Sequence, residues 1–172
     1  KAADILENSI LIFNADHGAL LGEAAGIGKM CFNAAAHRVP MIIVNPSKGD
    51  CGRRDTRLCS NVDLAVTLCH MLDLDVPEQF VGHSLFDEPA NMVYSTIGFG
   101  EEESTAMGYD PVGLYTDGHS WPRRCCVRTD RYRLDMNVRM DGRDVPEAYE
   151  DVFFTDYKKY PVEDKNLADD ER

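Results

Sequence analysis

An apolar run that ends on a polar cluster constrains the fold of this chain more than any other feature. Residues 10–13 are all apolar, and residues 14–18 read Asn-Ala-Asp-His-Gly. A short apolar run of this kind is typical of a buried parallel strand. Open α/β sheets place their sites at the carboxyl ends of such strands, so Asp16 and His17 are candidate metal ligands. Taken alone, Asp-His-Gly is more often an ordinary turn.

The next segments predict a βα unit. Residues 39–44 form a second apolar run, and helical character returns near residues 30–36 between the two runs. Two buried strands joined by a helix predict a parallel crossover. Ser60 or Asn61 is placed to cap a further helix, whose apolar positions are Leu64, Ala65, Leu68, Cys69 and Leu72. A third strand is predicted over residues 92–97.

The character of the sequence changes after residue 97. Loops rich in glycine and acidic residues extend to about residue 124, and residues 125–134, 139–145 and 152–156 then alternate like short antiparallel strands. We therefore predict an α/β catalytic part over residues 1–97. Residues 98–172 are predicted to hold a loop-rich segment and a small antiparallel subdomain, with a boundary between residues 98 and 120.

Composition excludes several classes of partner. The formal charge of −12, from 30 acidic and 18 basic residues in 172, argues against a nucleic-acid partner. No apolar stretch is long enough for a membrane span. The six cysteines form no C-x-x-C pair, so we expect free thiols, which favour a reducing, cytoplasmic compartment. Because the chain begins at Lys1 without Met, we expect a fragment.

An ordered set of motifs resembles one family. Residues 14–23 read NADHGALLGE, residues 28–29 read GK, and residues 38–43 read RVPMII. Further along, residues 62–68 read VDLAVTL, residues 81–85 VGHSL, residues 127–134 VRTDRYRL and residues 166–168 NLA. In order and spacing these resemble the second half of sulfatases of the alkaline phosphatase superfamily.

The resemblance implies a fold and a site. The fold would be α/β, part of an alkaline-phosphatase-like sandwich with a mostly parallel sheet and flanking helices, plus a small C-terminal antiparallel sheet. Asp16 and His17 would be the second pair of ligands to one divalent cation, usually calcium, with manganese or zinc also compatible with an imidazole. Lys29 would act in catalysis by holding a sulfate oxygen. Taken alone, Lys29 is more simply a solvated lysine.

Two departures from the family pattern stand beside these matches. Ala24 and Ala34 occupy positions where the family often has His and Glu. The family's C-x-P-x-R or S-x-P-x-R segment, whose Cys or Ser becomes formylglycine, lies before the Asp-His-Gly motif; here the one match to this pattern, SWPRR at residues 120–124, lies after it. The nucleophile and the first pair of metal ligands are therefore expected in a missing N-terminal half of the same protein, and this chain alone should not turn over substrate.

The resulting interpretation is a fragment of a sulfuric ester hydrolase that acts on a small sulfate ester. His119, in a polar loop with one aromatic residue, is a candidate substrate contact, although loop residues of this kind more often make none. The adjacent thiols of Cys125 and Cys126 are expected to fill core. A phosphomonoester, phosphodiester or phosphonate hydrolase of the same superfamily remains an alternative, as does a non-catalytic relative; a homo-oligomer is left open.

Overall fold

A computed structural model describes residues 5–46, 52–101 and 122–168. It contains two α-helices, three short 3-10 turns and nine β-strands within these ranges. Residues 102–120 of the predicted boundary region, including His119, lie outside the described residues. No helix within these ranges combines the length and the apolar character that a membrane span requires.

The first two predicted strands form, but they run in opposite directions. Strand β1 (Leu11–Asn14) pairs antiparallel with β4 (Met41–Val44), so that Leu11 faces Val44 and Asn14 faces Met41. The predicted parallel crossover is therefore wrong. The connection holds only one four-residue helix, α1 (Ala34–His37), which is too short to carry the chain back along β1, so the chain enters β4 where β1 ends.

The strands β1 and β4 are also less buried than the apolar runs predict. Leu11, Phe13 and Ile42 are exposed, and the residues that alternate with them, such as Ile12 and Ile43, are half-buried. Period-two alternation places one set of side chains on each face of a sheet. In the described part of the chain, the face that carries Phe13, which is 62% exposed, stays open to solvent.

A small hairpin follows the Asp-His-Gly segment. Strand β2 (Leu20–Leu21) pairs antiparallel with β3 (Ile27–Gly28) around a 3-10 turn at Glu23–Ala25. Gly22 begins the turn with a φ of 126°, which favours glycine. The Glu23 carboxylate accepts a hydrogen bond from the Leu21 N–H at 2.6 Å and closes the turn. The hairpin ends directly before Lys29.

The predicted second helix is confirmed as α2 (Asp63–Met71), but its predicted cap is wrong: Val62 is at the N-cap, and neither Ser60 nor Asn61 caps the helix with its side chain. Its N-terminus is held by the Asp63 carboxylate, which accepts hydrogen bonds from the backbone N–H groups of Ser60 (2.7 Å) and His83 (2.9 Å). Val66 and Thr67 are buried, and the Thr67 hydroxyl donates to Asp63 O and accepts from Leu85 N. Helix α2 is thereby tied to the loop that follows it.

The remaining strands form one antiparallel sheet, as predicted for the C-terminal segments. Its strands are β5 (Val93–Ile97), β6 (Arg123–Arg128), β7 (Tyr132–Met140), β8 (Arg143–Asp144) and β9 (Phe153–Asp156). The order is β5-β6-β7-β8, and β9 pairs with residues 132–135 of β7. The prediction of one strand over residues 125–134 is wrong, because the chain turns at residues 129–131 and β6 and β7 pair across that turn. Strand β5 precedes residue 98, so hydrogen bonding between strands continues across the predicted boundary.

The buried interior between the two parts of the chain is partly charged. Phe32 is 1% exposed and contacts the edge of the His37 ring, with centroids 5.0 Å apart. Arg128 of β6 donates to Phe32 O at 2.6 Å and to the buried Glu163 carboxylate. The segment that follows Lys29 is thus fixed against the C-terminal sheet.

Candidate functional site

The site segment follows β1, where the ladder with β4 ends. The last paired residues are Asn14 and Met41, and the chain then passes through Ala15, Asp16 and His17. The side chain of Asn61, two residues before α2, donates to Ala15 O at 3.2 Å and Asp16 O at 3.1 Å. These carbonyls have left the ladder, and the amide of Asn61 supplies donors for them.

Gly18 brings this segment against helix α1. Its backbone N–H donates to Ala36 O at 2.7 Å. A Cβ built at this position would lie 2.0 Å from Ala35 O, a distance that real Cβ atoms do not reach. The third residue of the Asp-His-Gly motif is therefore glycine because of close approach to the backbone of α1.

Three predicted site residues converge. Lys29 Nζ lies 2.6 Å from His17 Nε2, and Asp16 Oδ2 lies 3.3 Å from the same nitrogen. His17 Nδ1 lies 2.9 Å from Gly18 O, which can only accept; with the proton on Nδ1, Nε2 accepts from the Lys29 ammonium. The structure thus brings together the carboxylate, imidazole and ammonium that the sequence placed 12 and 13 residues apart.

The environment of Asp16 favours its charged form. The backbone N–H of His17 donates to Asp16 Oδ1 at 2.9 Å and holds the pKa of the carboxyl below its usual range, and the Lys29 ammonium acts in the same direction. The side chain of Asp16 is 86% exposed and that of His17 is 40% exposed. Both groups remain reachable from solvent, which suits ligands of an incoming cation.

The donor set fits part of a cation site. An ionised carboxylate and an imidazole lone pair are ligands for divalent metals, and the two atoms lie close enough to contact one ion. Calcium takes six to eight oxygen ligands and zinc about four ligands in all. Among the described residues, no group of three or more His, Cys, Asp or Glu side chains is placed to hold a metal ion. Asp16 and His17 could supply two ligands, and the others would come from elsewhere.

The other titratable candidates have different surroundings. His37 is half-buried in α1; burial, together with Arg128 and Arg133, lowers its pKa. His70 and His83 are exposed, on α2 and in the following loop. The described cysteines, which are Cys31, Cys59, Cys69, Cys125 and Cys126, are free.

Cys126 is a core residue, as expected. It is 2% exposed, and burial raises the pKa of its thiol to about 12. Because the thiolate is the nucleophilic form of cysteine, this side chain is not a candidate nucleophile. Its neighbour Cys125 is half-buried.

Sequence reasoning missed one part of the site. Asn61 was predicted only as a helix cap, whereas its side chain contacts the segment that carries Asp16, 45 residues away. No local sequence pattern predicts a contact between residues 45 positions apart. The sequence shows only that Asn61 lies two residues before α2, a position that indicates a helix cap and not a contact with residues 15 and 16.

No established family model matches the sequence. The chain is similar in sequence to several sulfatases. An N-acetylglucosamine-6-O-sulfatase of Bacteroides thetaiotaomicron is 27% identical over 129 residues, covering 75% of this chain and 22% of the relative. The uncharacterized sulfatase YidJ of Escherichia coli is 27% identical over 167 residues, covering 88% and 30%. Arylsulfatase K of Canis lupus familiaris is 26% identical over 158 residues, covering 89% and 27%.

Comparison with solved structures agrees with the sequence comparison. A protein assigned as a sulfatase from Bacteroides thetaiotaomicron has a TM-score of 0.70 and 25% identity, covering 95% of this chain and 32% of that one. The phosphonate monoester hydrolase of Agrobacterium radiobacter has a TM-score of 0.73 and 23% identity, covering 98% and 32%, and so shares the fold.

The chain spans about a third or less of the length of each of these proteins. The matched proteins also include a multifunctional alkaline phosphatase superfamily protein of Trinickia caryophylli. The α/β fold predicted from the motifs is confirmed by this likeness. The chain is therefore a homologue of the sulfatases within the alkaline phosphatase superfamily, and it corresponds to their C-terminal portion.

Proposed function

We propose that this chain is part of a metal-dependent sulfuric ester hydrolase, to which it contributes two cation ligands and one anion-binding lysine. The proposal depends on one observation: Lys29 Nζ lies 2.6 Å and Asp16 Oδ2 lies 3.3 Å from the same atom, His17 Nε2. The homology to sulfatases supports it. The proposal covers the protein of which this chain is a part.

Each of the three side chains has a distinct task. Asp16 and His17 would hold a divalent cation, which when bound acts as a Lewis acid towards the oxygens of the ester group. With its proton on Nδ1, the ring of His17 has one lone pair at Nε2, and a cation held there would take the place of the Lys29 ammonium. Lys29 is then free to bind a non-bridging oxygen of the sulfuryl group, where its charge stabilises the negative charge that develops during transfer.

The nucleophile must come from another segment. The S-x-P-x-R match at residues 120–124 follows the Asp-His-Gly motif, whereas the family resemblance expects the nucleophile before it, and burial keeps the thiol of Cys126 protonated. We therefore assign the nucleophile, the formylglycine that the family resemblance implies and the remaining ligands to residues outside this chain.

Phosphoryl chemistry is the second candidate. A cation and a lysine ammonium serve a phosphate or phosphonate ester as well as a sulfate ester. The structural likeness to a phosphonate monoester hydrolase favours this candidate over unrelated reactions.

The test uses the full-length protein. Calorimetric titration with Ca²⁺ and with Mn²⁺ measures cation binding, and turnover is then compared on an aryl sulfate, an aryl phosphate and a phosphonate monoester. Cation binding with preference for the sulfate supports the proposal, and preference for either phosphorus ester supports the second candidate. Absence of both binding and turnover indicates a non-catalytic relative, a result with which Ala24 and Ala34 agree.

Substitution of Lys29 tests the assignment at residue level. We expect Lys29→Ala to lower kcat on the preferred ester by about 10²- to 10³-fold, because a charge that stabilises the transition state is lost. Lys158→Ala, on the exposed turn after β9, is the matched control and should leave kcat unchanged. Equal kcat values for Lys29→Ala and the wild type would show that Lys29 is a solvated lysine.

A further inference from the structure

The side chain of Asn61 joins helix α2 to the end of β1 through three hydrogen bonds. Its Nδ2 donates to Ala15 O at 3.2 Å and to Asp16 O at 3.1 Å. Its Oδ1 accepts from Asn14 Nδ2 at 3.0 Å. One exposed side chain therefore contacts three successive residues of the segment that presents Asp16.

Little else holds Asp16 in place. Its side chain is 86% exposed, so packing does not restrict its rotamer. Its carboxylate is oriented by the N–H of the adjacent residue, His17, at 2.9 Å. The direction in which the carboxylate points consequently depends on the backbone at residues 15 and 16, whose carbonyls Asn61 binds.

The segment that carries Asn61 is itself well fixed. The Asp63 carboxylate accepts from the backbone N–H groups of Ser60 (2.7 Å) and His83 (2.9 Å). Gly82 lies against the Val62 carbonyl, where a Cβ would be 2.3 Å from the oxygen. Asn61 is thus attached to a helix N-terminus with defined geometry.

We propose that Asn61 is a positioning residue for the cation site: its amide holds the Ala15 and Asp16 carbonyls so that the Asp16 carboxylate and His17 Nε2 face one ion. The proposal rests on the proposed function. Asn61 itself does not contact the ion. Groups that orient metal ligands in this way commonly change metal affinity by about 10- to 100-fold when they are removed.

The experiment measures cation affinity apart from turnover. Full-length protein is stripped of metal with a chelator and titrated calorimetrically with Ca²⁺ and with Mn²⁺, and Tm is measured for each variant without metal. We expect Asn61→Ala to raise the Kd for the bound cation by about 10- to 100-fold. Asn61→Leu, which keeps more of the side-chain volume while removing the same hydrogen bonds, should raise Kd to a similar extent.

Asn166 provides a matched control. It is also exposed, and its amide also bridges backbone segments with three hydrogen bonds, accepting from Phe154 N (2.9 Å) and Ala168 N (3.0 Å) and donating to Val152 O (2.8 Å). Asn166→Ala also removes three hydrogen bonds, but at a position 150 residues from Asp16 in the sequence. It should lower Tm about as much as Asn61→Ala and leave Kd unchanged.

The possible outcomes distinguish a failure of this proposal from a failure of the proposed function. If the wild type binds neither cation, the proposed function fails and the role of Asn61 fails with it. If the wild type binds and both Asn61 variants bind equally tightly, the function stands and the positioning role is refuted. Equal weakening by Asn61→Ala and Asn166→Ala would also refute it, because the effect would then be general destabilisation.

Discussion

Two residue types at the site are explained by single contacts. Gly18 allows the site segment to lie against α1, since any Cβ there would meet Ala35 O. Lys29 reaches His17 because the hairpin of β2 and β3 ends directly before it. The sequence predicted both residues from the motif, and the structure adds the physical reason for each. The catalytic role of Lys29 remains a prediction, as do the metal-binding roles of Asp16 and His17.

Replacing Gly18 tests the first of these contacts. We expect Gly18→Ala to lower the free energy of unfolding by about 1–3 kcal/mol, because the added methyl group must displace the backbone of α1. Urea unfolding of the full-length protein, followed by circular dichroism, measures the change. In the control Gly52→Ala, a Cβ meets nothing within 4 Å and only the φ of 79° is unfavourable. A Gly18→Ala protein as stable as the wild type would contradict the close approach.

At the scale of elements, strands β6 and β7 carry buried charges that form ion pairs with one another and with Glu163. Arg133, 6% exposed, donates to Asp135 at 2.6 Å and to Glu163 at 3.0 Å. Arg124 donates to the other oxygen of Asp135 at 2.6 Å. Alternating polar and apolar residues predicted the strands here, but the polar side chains were not predicted to be buried, since charges enter a core only when tertiary partners neutralise them.

Removal of one partner from this network should be costly. We expect Asp135→Ala to lower the free energy of unfolding by about 3–5 kcal/mol, because two arginines lose a buried counter-charge. The matched control is Glu101→Ala, whose ion pair with Arg139 is half-exposed and should contribute about 1 kcal/mol or less. Urea midpoints of the two variants provide the comparison, and equal midpoints would contradict a special role for the buried network.

Across the whole molecule, acid should weaken the folded state through its ion-paired carboxylates. Hydrogen bonds from Arg131 hold the pKa of Asp156 below its usual 3.8, and those from Arg139 hold the pKa of Glu101 below its usual 4.5. A backbone N–H of Arg57 does the same for Asp55. Groups with lowered folded pKa values stabilise the fold above their unfolded values and lose this contribution as pH falls through the lowered ones.

The expected pH profile follows from this sign. Between pH 7 and pH 5 these carboxylates stay charged in both states, so their contribution is constant; below about pH 4 it declines. Urea unfolding at pH 7, 5 and 3 measures the profile. Asp156→Asn should flatten the decline, and Asp164→Asn, at an exposed position, serves as the control. Greater stability at pH 3 than at pH 5 would contradict the argument.

The sequence by itself determined that strands form near residues 10–13, 39–44, 92–97 and 152–156, because strand periodicity and the Asp-His-Gly motif are local properties. It did not predict the hairpin of β2 and β3 or the turn that divides β6 from β7. The ordered motifs also sufficed to indicate the family. Only the tertiary structure decided that β4 runs antiparallel to β1, that Lys29 meets His17, and that Asn61 reaches Asp16 over 45 residues. An apolar run does not encode strand direction, and contacts of long sequence separation form only when packing brings their elements together.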